Sequence, residues 1–432
     1  MKAYRDIVIA GGGMVGASLA LQLGAVLPEE MSICLVEGFP LPAPLAQGKL
    51  DYHPSFDARS TALSYSSRLI YEKLQIWDEL QQWLCPIESI HVSTRGHFGS
   101  SLLQAAEYDW PALGYVVENA WLGNALLQAV YRQGRVEVCS PARVLAAAPR
   151  GQGMRLQLEG MADEVMDTAL LLVADGATSG LRDQLGVAVQ EKSYRQHALI
   201  ANVAFDQAHK GCAFERFTDQ GPVALLPLLP SSPGEHRSAL VWTLAPEQAE
   251  HLQTAPAEEF LRALQDRFGY RLGRLRHVGE RHSYPLALVQ SSEQVRQGVV
   301  VMGNAAHALH PVAGQGYNLA LRDVAQLGAV VAQGVSSGRP VGDLALLQRY
   351  LQRQQPDQSR TIQFSDQLPG LFMHGDPVLG IARDLALSGL DILPALKREF
   401  VRHTAGLAAL GDGVGAGVAK GGINNTGEQR SG

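Results

Sequence analysis

The sequence is poor in the residues that cross-link a chain or hold a metal ion. Its 432 residues include four cysteines, and none of these is paired at the spacing of a metal site or a redox motif: Cys34, Cys85, Cys139 and Cys212. We therefore expect neither disulfides nor a metal centre. Few cysteines without such pairing also fit a reducing, cytoplasmic compartment.

Excess positive charge and long apolar runs are also missing. The net charge is −6, which argues against nucleic acid as a partner, because nucleic-acid binding calls for a basic patch. No apolar run reaches about 18 residues, so we expect no membrane-spanning helix, although peripheral contact with an inner membrane stays open. The first residues, MKAYRDIVIAGGG, enter a strand without a signal segment.

What is present is an ordinary globular composition. Apolar residues make up 46% of the chain and charged residues 18%, which is enough to bury a large core. A chain of this length usually divides into more than one core, so we expect at least two domains.

The first motif lies at the N-terminus, where a short apolar strand runs into Gly11-x-Gly13-x-x-Gly16 and then a helix. The glycines allow a tight turn, close approach of a pyrophosphate and close packing of helix on strand, and the helix start attracts phosphate. Glu37 ends the next apolar strand, where an acid that binds ribose is expected. The pattern predicts a dinucleotide site but does not separate NAD from FAD.

Two further glycine-bearing turns follow predicted strands. ADGATSGLR contains Asp175, and GNAAHALHPVAGQGYN covers residues 303–318. Between them, from about residue 190, β-rich stretches separated by turn residues indicate an antiparallel sheet of a different domain type. Three such strand ends in one chain suggest one extended cofactor held from several sides.

These three motifs together resemble the class A flavoprotein aromatic hydroxylases, which have the para-hydroxybenzoate hydroxylase fold. The resemblance covers about residues 4–400 and implies an α/β fold: a Rossmann-like FAD-binding domain, an inserted antiparallel β-sheet substrate domain and a helical C-terminus. The predicted boundaries are FAD-binding segments 1–80, 113–188 and 296–345, substrate-domain segments 81–112 and 189–295, a helical region 346–410 and a flexible tail 411–432.

The resemblance also implies which residues contact FAD. By matching position or adjacency, the predicted cofactor-binding residues are Gly11, Gly13, Met14, Val15, Gly16, Glu37, Gly38, Arg59, Asn119, Asp175, Gly303, Asn304, Pro311, Gly314, Gly316, Tyr317 and Asn318. The predicted catalytic residues beside the flavin are Pro311, Gly314, Gln315 and Gly316. Asn304 departs from the family's usual aspartate; both side chains accept a hydrogen bond, but asparagine removes a charge, and we expect FAD binding to survive.

A finer resemblance points to the ubiquinone-biosynthesis branch. It rests on AFERFTDQGPVALLPL, IANVA, SYPLAL and HVSTRGHFG together with the late motif. It implies an FAD-dependent monooxygenase that uses NADPH or NADH and O2 to hydroxylate 2-polyprenyl-6-methoxyphenol. The alternatives are a sibling hydroxylase for another ring position, an aromatic hydroxylase for a small acid, a flavin-dependent reductase of prenyl chains, and a non-catalytic scaffold of a quinone-synthesis complex. We also expect a homo-oligomer.

Some residues keep two interpretations. Arg59 is either a flavin contact or a solvated charge, and His307 and His310 either take part in chemistry or pack. Glu215 and Arg216 either form a cross-strand pair or line the substrate cavity. Segment 384–403 is amphipathic, with basic residues near its end, and either packs on the protein or docks on a membrane surface.

Overall fold

The computed structural model describes residues 3–42, 44, 59–95, 100–311, 314–373 and 405–406. The strands are β1 Ala3–Ala10, β2 Ile33–Val36, β3 Ser60–Ser64, β4 Cys85–Ile87, β5 Ser89–Thr94, β6 Ser100–Gln104, β7 Gly114–Glu118, β8 Val136–Cys139, β9 Arg143–Arg150, β10 Gly153–Glu159, β11 Val165–Val173, β12 Val189–Phe205, β13 Cys212–Thr218, β14 Gly221–Pro227, β15 His236–Leu244, β16 Leu275–Val278, β17 His282–Ser291, β18 Val295–Arg296, β19 Val299–Val301 and β20 His307–Ala308. The helices are α1 Met14–Val26, α2 Tyr65–Lys73, α3 Trp77–Leu80, α4 Asn119–Gln133, α5 Gly180–Gln184, α6 Pro246–Thr254, α7 Ala257–Phe268, α8 Gln315–Ser336 and α9 Leu344–Met373.

The first layer is an eight-stranded sheet with a parallel centre. Strands β19, β11, β1, β2 and β8 lie side by side and parallel, and β10, β9 and β18 extend the sheet with antiparallel pairings. The central strands are short apolar runs such as IVIA and LLLV, as expected where helices cover a parallel sheet. Helices α1, α4 and α8 bury one of its faces. This is the predicted Rossmann-like domain.

The second layer is a nine-stranded sheet, in the order β20-β17-β12-β15-β14-β13-β5-β6 with β16 beside β12. Its pairings are antiparallel except for β13 with β5, which are parallel. One face, which we call the outer face, is buried under α6 and α7 by residues such as Leu225, Leu240 and Trp242. The predicted fold class, a Rossmann-like domain joined to a largely antiparallel sheet, is confirmed.

A three-stranded sheet, in the order β3-β7-β4, contacts α4 and α8 of the first layer and β14 of the second. The sequence pattern of residues 57–80 predicts a helix, but Ser60–Ser64 is a strand paired with β7 and α2 begins only at Tyr65. Pairing with a strand that is distant in sequence determines the structure of this segment, and local periodicity carries no information about such a partner.

Glu118 joins the two domains at the end of β7. Its carboxylate accepts hydrogen bonds from Arg237 Nη2 at 2.9 Å and from Asn202 Nδ2 at 3.1 Å, both in the nine-stranded sheet. The other face of that sheet, which we call the inner face, is therefore held against the Rossmann-like domain.

The C-terminal helices pair through buried charges. Arg322 of α8 donates from Nε to Asp357 of α9 at 2.6 Å, and both residues are largely buried. Within the described ranges no helix has both the length and the apolar character needed to cross a membrane. Segment 384–403 lies outside the described residues.

The sulfur atoms of Cys34 and Cys139 lie 3.4 Å apart on the neighbouring strands β2 and β8, and both thiols are free. Sequence spacing gave no hint of this approach, because 105 residues separate them along the chain. The neighbouring thiol, together with burial, raises the pKa of Cys34 far above its usual range.

Candidate functional site

Four neighbouring parallel strands end at one edge of the eight-stranded sheet. Ala10 pairs with Val36 on one side and with Val173 on the other, and Val173 pairs with Val301. The residues that follow these strands carry the three motifs and the predicted ribose-binding acid: Gly11, Glu37, Asp175 and Gly303. The carboxyl edge of a doubly wound parallel sheet is where such folds bind their ligands.

In the first glycine turn, Gly11 and Gly16 are closely packed, whereas Gly13 borders open space. A Cβ atom on Gly16 would lie 1.8 Å from the carbonyl oxygen of Gly11, and one on Gly11 would lie 2.4 Å from that of Ala174. A Cβ on Gly13 would meet no atom within 4 Å. Gly16 therefore permits close packing of α1, whereas Gly13 borders open space just before Met14, the first residue of that helix.

Glu37 lies against the same turn. It is 8% exposed, its Oε2 accepts a hydrogen bond from the Gly12 amide at 2.6 Å, and its Oε1 accepts one from the Phe39 amide at 2.9 Å. Gly38 packs closely, because a Cβ there would lie 2.5 Å from Arg143 Nε. The carboxylate is thus fixed beside the first glycine turn, at the position expected for an acid that binds ribose.

The central motif forms the adjoining loop. Burial by the surrounding protein raises the pKa of Asp175, although the residue keeps exposed surface and a hydrogen bond with Ser179 acts in the opposite direction. Ser179 caps α5 by accepting from the Arg182 amide at 3.0 Å. Gly176 follows with φ +98° and borders open space.

Arg182 connects the central motif with the late one. It is 4% exposed, and its Nη1 donates to the carbonyl of Ala305 at 3.1 Å and to that of Ala177 at 3.2 Å. Arg182 is the last residue of the sequence ADGATSGLR, and the sequence alone did not indicate its role. A buried guanidinium that bonds backbone carbonyls of both loops sets their relative position.

Gly303 and Asn304 form the turn after β19. Gly303 packs on Val15, because a Cβ would lie 3.1 Å from Val15 Cγ2. The next residue, Asn304, is exposed at this edge. The late motif therefore lies directly beside the start of α1.

Pro311 and Gly314 lead into α8. The Gly314 amide donates to the carbonyl of Pro311 at 3.0 Å, and Gly314 has φ +59°, a left-handed conformation that favours glycine. Gln315, the first residue of α8, is 4% exposed. Gly316 borders open space, since a Cβ there would meet no atom within 4 Å. The free N–H groups at the start of this helix carry partial positive charge.

The side chain of Asn318 is fully occupied within the protein. Its Nδ2 donates to the carbonyls of Ala62 and Gly314, each at 2.7 Å, and its Oδ1 accepts from the Ser64 amide and the Ser67 hydroxyl. An amide side chain offers two donors and two acceptor positions. Any contact of Asn318 with a cofactor would therefore come from its backbone.

Tyr317 also turns into the protein. Its hydroxyl hydrogen-bonds with Tyr71 and, at 3.0 Å, with Ser18, and burial raises the pKa of Tyr317 to about 12. These contacts join α8 to α2 and α1. The sequence did not indicate this cluster, which gives Tyr317 a packing role beneath the turn.

Arg59 and Asn119 lie together at the border with the nine-stranded sheet. The Asn119 amide donates to the carbonyl of Arg59 at 2.8 Å, and Asn119 Oδ1 accepts from Thr61 at 2.7 Å. The Arg59 guanidinium lies over the ring of Tyr284 on β17, 5.1 Å from its centroid. Arg59 thus bridges the domains, which neither sequence interpretation foresaw.

The two histidines of the late motif are both buried. His307 Nε2 lies 2.9 Å from Asp323 Oδ2, and Gln358 donates to the other oxygen of that carboxylate. Burial lowers the pKa of His310 to about 4, and its ring packs edge-on against Tyr194 at 5.0 Å. These contacts tie the late motif to α8, α9 and the nine-stranded sheet.

Glu215 and Arg216 do not pair. They are consecutive residues of β13 and so point to opposite faces of the sheet. Arg216 lies on the outer face with Phe214, whereas Glu215 shares the inner face with Ala213. The cross-strand pairing considered from sequence is wrong for that geometric reason.

The edge as a whole fits a dinucleotide with a flavin end. Gly13, Gly176 and Gly316 border space that side chains would fill. Glu37 supplies an acceptor for ribose. The start of α1 supplies donors for phosphate, and the start of α8 supplies donors for a ring that becomes negatively charged on reduction. FAD has these chemical groups.

Sequence comparisons give a consistent result. The pattern of the family described as FAD binding domain matches residues 90–365. A ubiquinone hydroxylase, UbiL, of Rhodospirillum rubrum is 34% identical over 411 residues, covering 94% of this chain and 90% of the relative. The 3-demethoxyubiquinol 3-hydroxylase of Escherichia coli is 30% identical, covering 93% of this chain and 98% of the relative.

Solved structures share the fold. The p-nitrophenol 4-monooxygenase PnpA of Pseudomonas putida superposes with a TM-score of 0.76 at 16% identity, over 94% of this chain and 99% of its own. PqsL of Pseudomonas aeruginosa, solved with 2-aminobenzoylacetate, gives 0.71 at 19% identity, over 88% of this chain and all of its own.

Proposed function

The chain belongs to the FAD-binding-domain family of flavin monooxygenases, and from this premise we propose that it hydroxylates a polyprenylated phenol in ubiquinone biosynthesis. The substrate we favour is 2-polyprenyl-6-methoxyphenol, with NADPH or NADH as reductant and O2 as oxidant. The observation that carries the proposal is the convergence of four strand ends and the start of α8 on one edge of the sheet. The ubiquinone hydroxylases among the relatives support the substrate class.

The protein's own part in this reaction is to hold FAD and the substrate and to enclose them. Bound FAD supplies the two-electron chemistry that joins NAD(P)H, O2 and the aromatic ring. Gly11, Gly13 and Gly16 would admit its pyrophosphate, Glu37 its ribose, and the backbone at 314–316 its ring. The inner face of the nine-stranded sheet would close over the ring and exclude water, which limits wasteful loss of reducing equivalents.

A second candidate is hydroxylation at another position of the same ring. It is favoured by the relative from Escherichia coli, which is named as a 3-hydroxylase of demethoxyubiquinol. The catalytic machinery proposed here would serve either position, since the position is set by how the ring is oriented in the cleft.

Deletion of the gene, followed by analysis of quinone precursors, tests the proposal. We expect 2-polyprenyl-6-methoxyphenol to accumulate; accumulation of demethoxyubiquinol instead would select the second candidate. In a companion assay with the purified yellow protein, a prenylated phenol should stimulate NAD(P)H oxidation and O2 uptake and gain one oxygen atom. Flavin-loaded protein that leaves every prenylated phenol unchanged would refute both candidates.

A further inference from the structure

Glu215 of β13 lies on the inner face of the nine-stranded sheet, between β14 and β5. Its cross-strand neighbours are Ala224 on β14 and Val92 on β5. Residues two apart on a strand share a face, so Glu215 lies beside Ala213, which packs in a cluster with Ile87, Leu103 and Val116. A carboxyl group therefore projects from a part of the inner face where its immediate neighbours are apolar.

That face leads directly to the turn before α8. Ala62 of β3 packs against the same cluster, and a Cβ on Gly314 would lie 3.2 Å from Ala62 Cβ. Asn318 binds both the Ala62 and Gly314 carbonyls, which fixes the two together. The inner face and the proposed ring-binding backbone are thus two sides of one region.

The inner face is less tightly covered than the outer one. On the outer face Val223, Leu225 and Leu240 are fully buried under helices. On the inner face the apolar residues Val92, Leu226, Val241 and Ile200 keep part of their surface exposed, as does Ala62 of β3 opposite them. These side chains leave accessible apolar surface between the sheet and the other domain, a region we call the cleft. Apolar surfaces with few polar groups are the usual lining of small-molecule sites.

Glu215 has no counter-charge among the described residues that surround it. Its immediate neighbours on the same face of β5 and β14 are not ionisable, and Tyr108 packs against the adjoining cluster. Elsewhere on the inner face, Arg237 is paired with Glu118 and Arg59 lies over Tyr284. On β13 itself Arg216 points to the outer face, and on α9 Asp366 is engaged by Lys192 and Tyr194. Burial alone raises the pKa of Glu215 to about 7.

We propose that Glu215 binds the phenolic hydroxyl of the substrate in this cleft and accepts its proton during hydroxylation. The inference rests on the proposed function. Glu215 is partly buried. A carboxylate in such apolar surroundings needs a hydrogen-bond donor, and an apolar molecule with one hydroxyl would satisfy it while filling the rest of the cleft. As the phenol O–H bond breaks and the proton bonds to a carboxylate oxygen, the electron pair stays on the phenolic oxygen. The ring becomes more electron-rich and therefore a better nucleophile toward oxygen.

The test uses the FAD-loaded protein and ortho-dimethylallylphenol as the probe. Wild type is compared with Glu215→Gln, which keeps the shape of the side chain, and with Arg216→Gln, the adjacent residue on the opposite face. Flavin content checks that each variant folds. Probe affinity, read from the change in flavin absorbance, and the hydroxylation rate are measured from about pH 5 to about pH 9.

We expect wild type and Arg216→Gln to bind the probe about tenfold more weakly as pH falls through about 7, since a hydrogen bond to a charged acceptor is the stronger one. Glu215→Gln should bind weakly and equally at all pH values, with hydroxylation about a hundredfold slower. If wild type and Glu215→Gln share one pH profile, the role of Glu215 is refuted while the proposed function stands.

A wild type that neither binds nor hydroxylates the probe would refute the proposed function, and this inference with it. If Glu215→Gln fails to fold, the pH dependence of probe binding by wild type still tests the role of Glu215. A binding curve without an ionisation between about pH 6 and about pH 8 refutes the role of Glu215.

Discussion

The backbone amide of Gly12 donates a 2.6 Å hydrogen bond to the carboxylate of Glu37. This bond joins the first glycine turn to the end of the neighbouring strand, and the second carboxylate oxygen binds the Phe39 amide. Both oxygens therefore fix the acid at the position where a ribose is expected to bind.

Glu37→Gln should lower the affinity for FAD. The variant side chain has one acceptor oxygen in place of two, so at least one of the amides of Gly12 and Phe39 loses its partner, and ribose meets a weaker acceptor. We expect FAD to bind more weakly by about tenfold to a hundredfold, measured by fluorescence titration of the apoprotein. The exposed Glu164→Gln is the control, and equal affinities in the two variants would contradict the assignment.

Gly16→Ala should destabilise the protein more than Gly13→Ala. The new methyl group at Gly16 would lie 1.8 Å from the Gly11 carbonyl oxygen, whereas at Gly13 it would enter open space. We expect a loss of at least about 3 kcal/mol of unfolding free energy for Gly16→Ala, at the upper end of overpacking effects. Urea unfolding measures this difference. Similar stabilities of Gly16→Ala and Gly13→Ala would show that the turn can shift to accommodate the methyl group.

Gly316→Val should abolish flavin loading without unfolding the chain. The added atoms enter space that no protein atom occupies within 4 Å, so the fold is expected to tolerate them. We expect colourless protein with a melting temperature close to that of the wild-type apoprotein. Ala329→Val, at an exposed site of the same helix, controls for the lower helix propensity of valine. Normal flavin content in Gly316→Val would place the ring elsewhere.

Asn304→Asp should keep FAD bound and lower its reduction potential. Asparagine and aspartate both accept a hydrogen bond, but aspartate adds a negative charge at the exposed turn beside the site. That charge disfavours the negatively charged reduced flavin. Potentiometric titration measures the shift; an unchanged or higher potential would argue that residue 304 lies away from the flavin.

Glu215→Gln should change how stability depends on pH. The pKa of Glu215 is raised from its ordinary value of 4.5 to about 7, so the folded protein retains a proton that the unfolded chain releases. The resulting contribution to the free energy of unfolding is fully present below about pH 4.5 and is lost as pH rises to about 7, by at most about 3 kcal/mol. Urea unfolding across this range should show a fall in the unfolding free energy of wild type that Glu215→Gln lacks. Parallel curves would contradict the raised pKa.

The sequence was most informative where function constrains the backbone. Gly11 and Gly303 could be placed after strands, and Gly13 and Gly16 at the start of α1, because glycine turns after short apolar strands have few other interpretations. Boundaries of the domains, and the contacts of the predicted site residues with FAD, stay predictions.

What the sequence could not give are relationships between distant segments. The strand at Ser60–Ser64 depends on its pairing with β7, and the approach of Cys34 to Cys139 depends on the order of strands in the sheet. Arg59 over Tyr284 is likewise a contact between domains. The face on which Glu215 lies follows from the alternation of side chains once the strand and its partners are known. The sequence FERF alone does not predict that face.

The register of the four strand ends bears on how the protein is made. Three of these ends lie in the first half of the chain, but the fourth, at Gly303, belongs to a strand that a ribosome completes only after the whole nine-stranded sheet except β20 has been synthesised. A nascent chain cannot close its cofactor edge before that point. Acquisition of the yellow colour during translation would therefore report that the last parallel strand has docked.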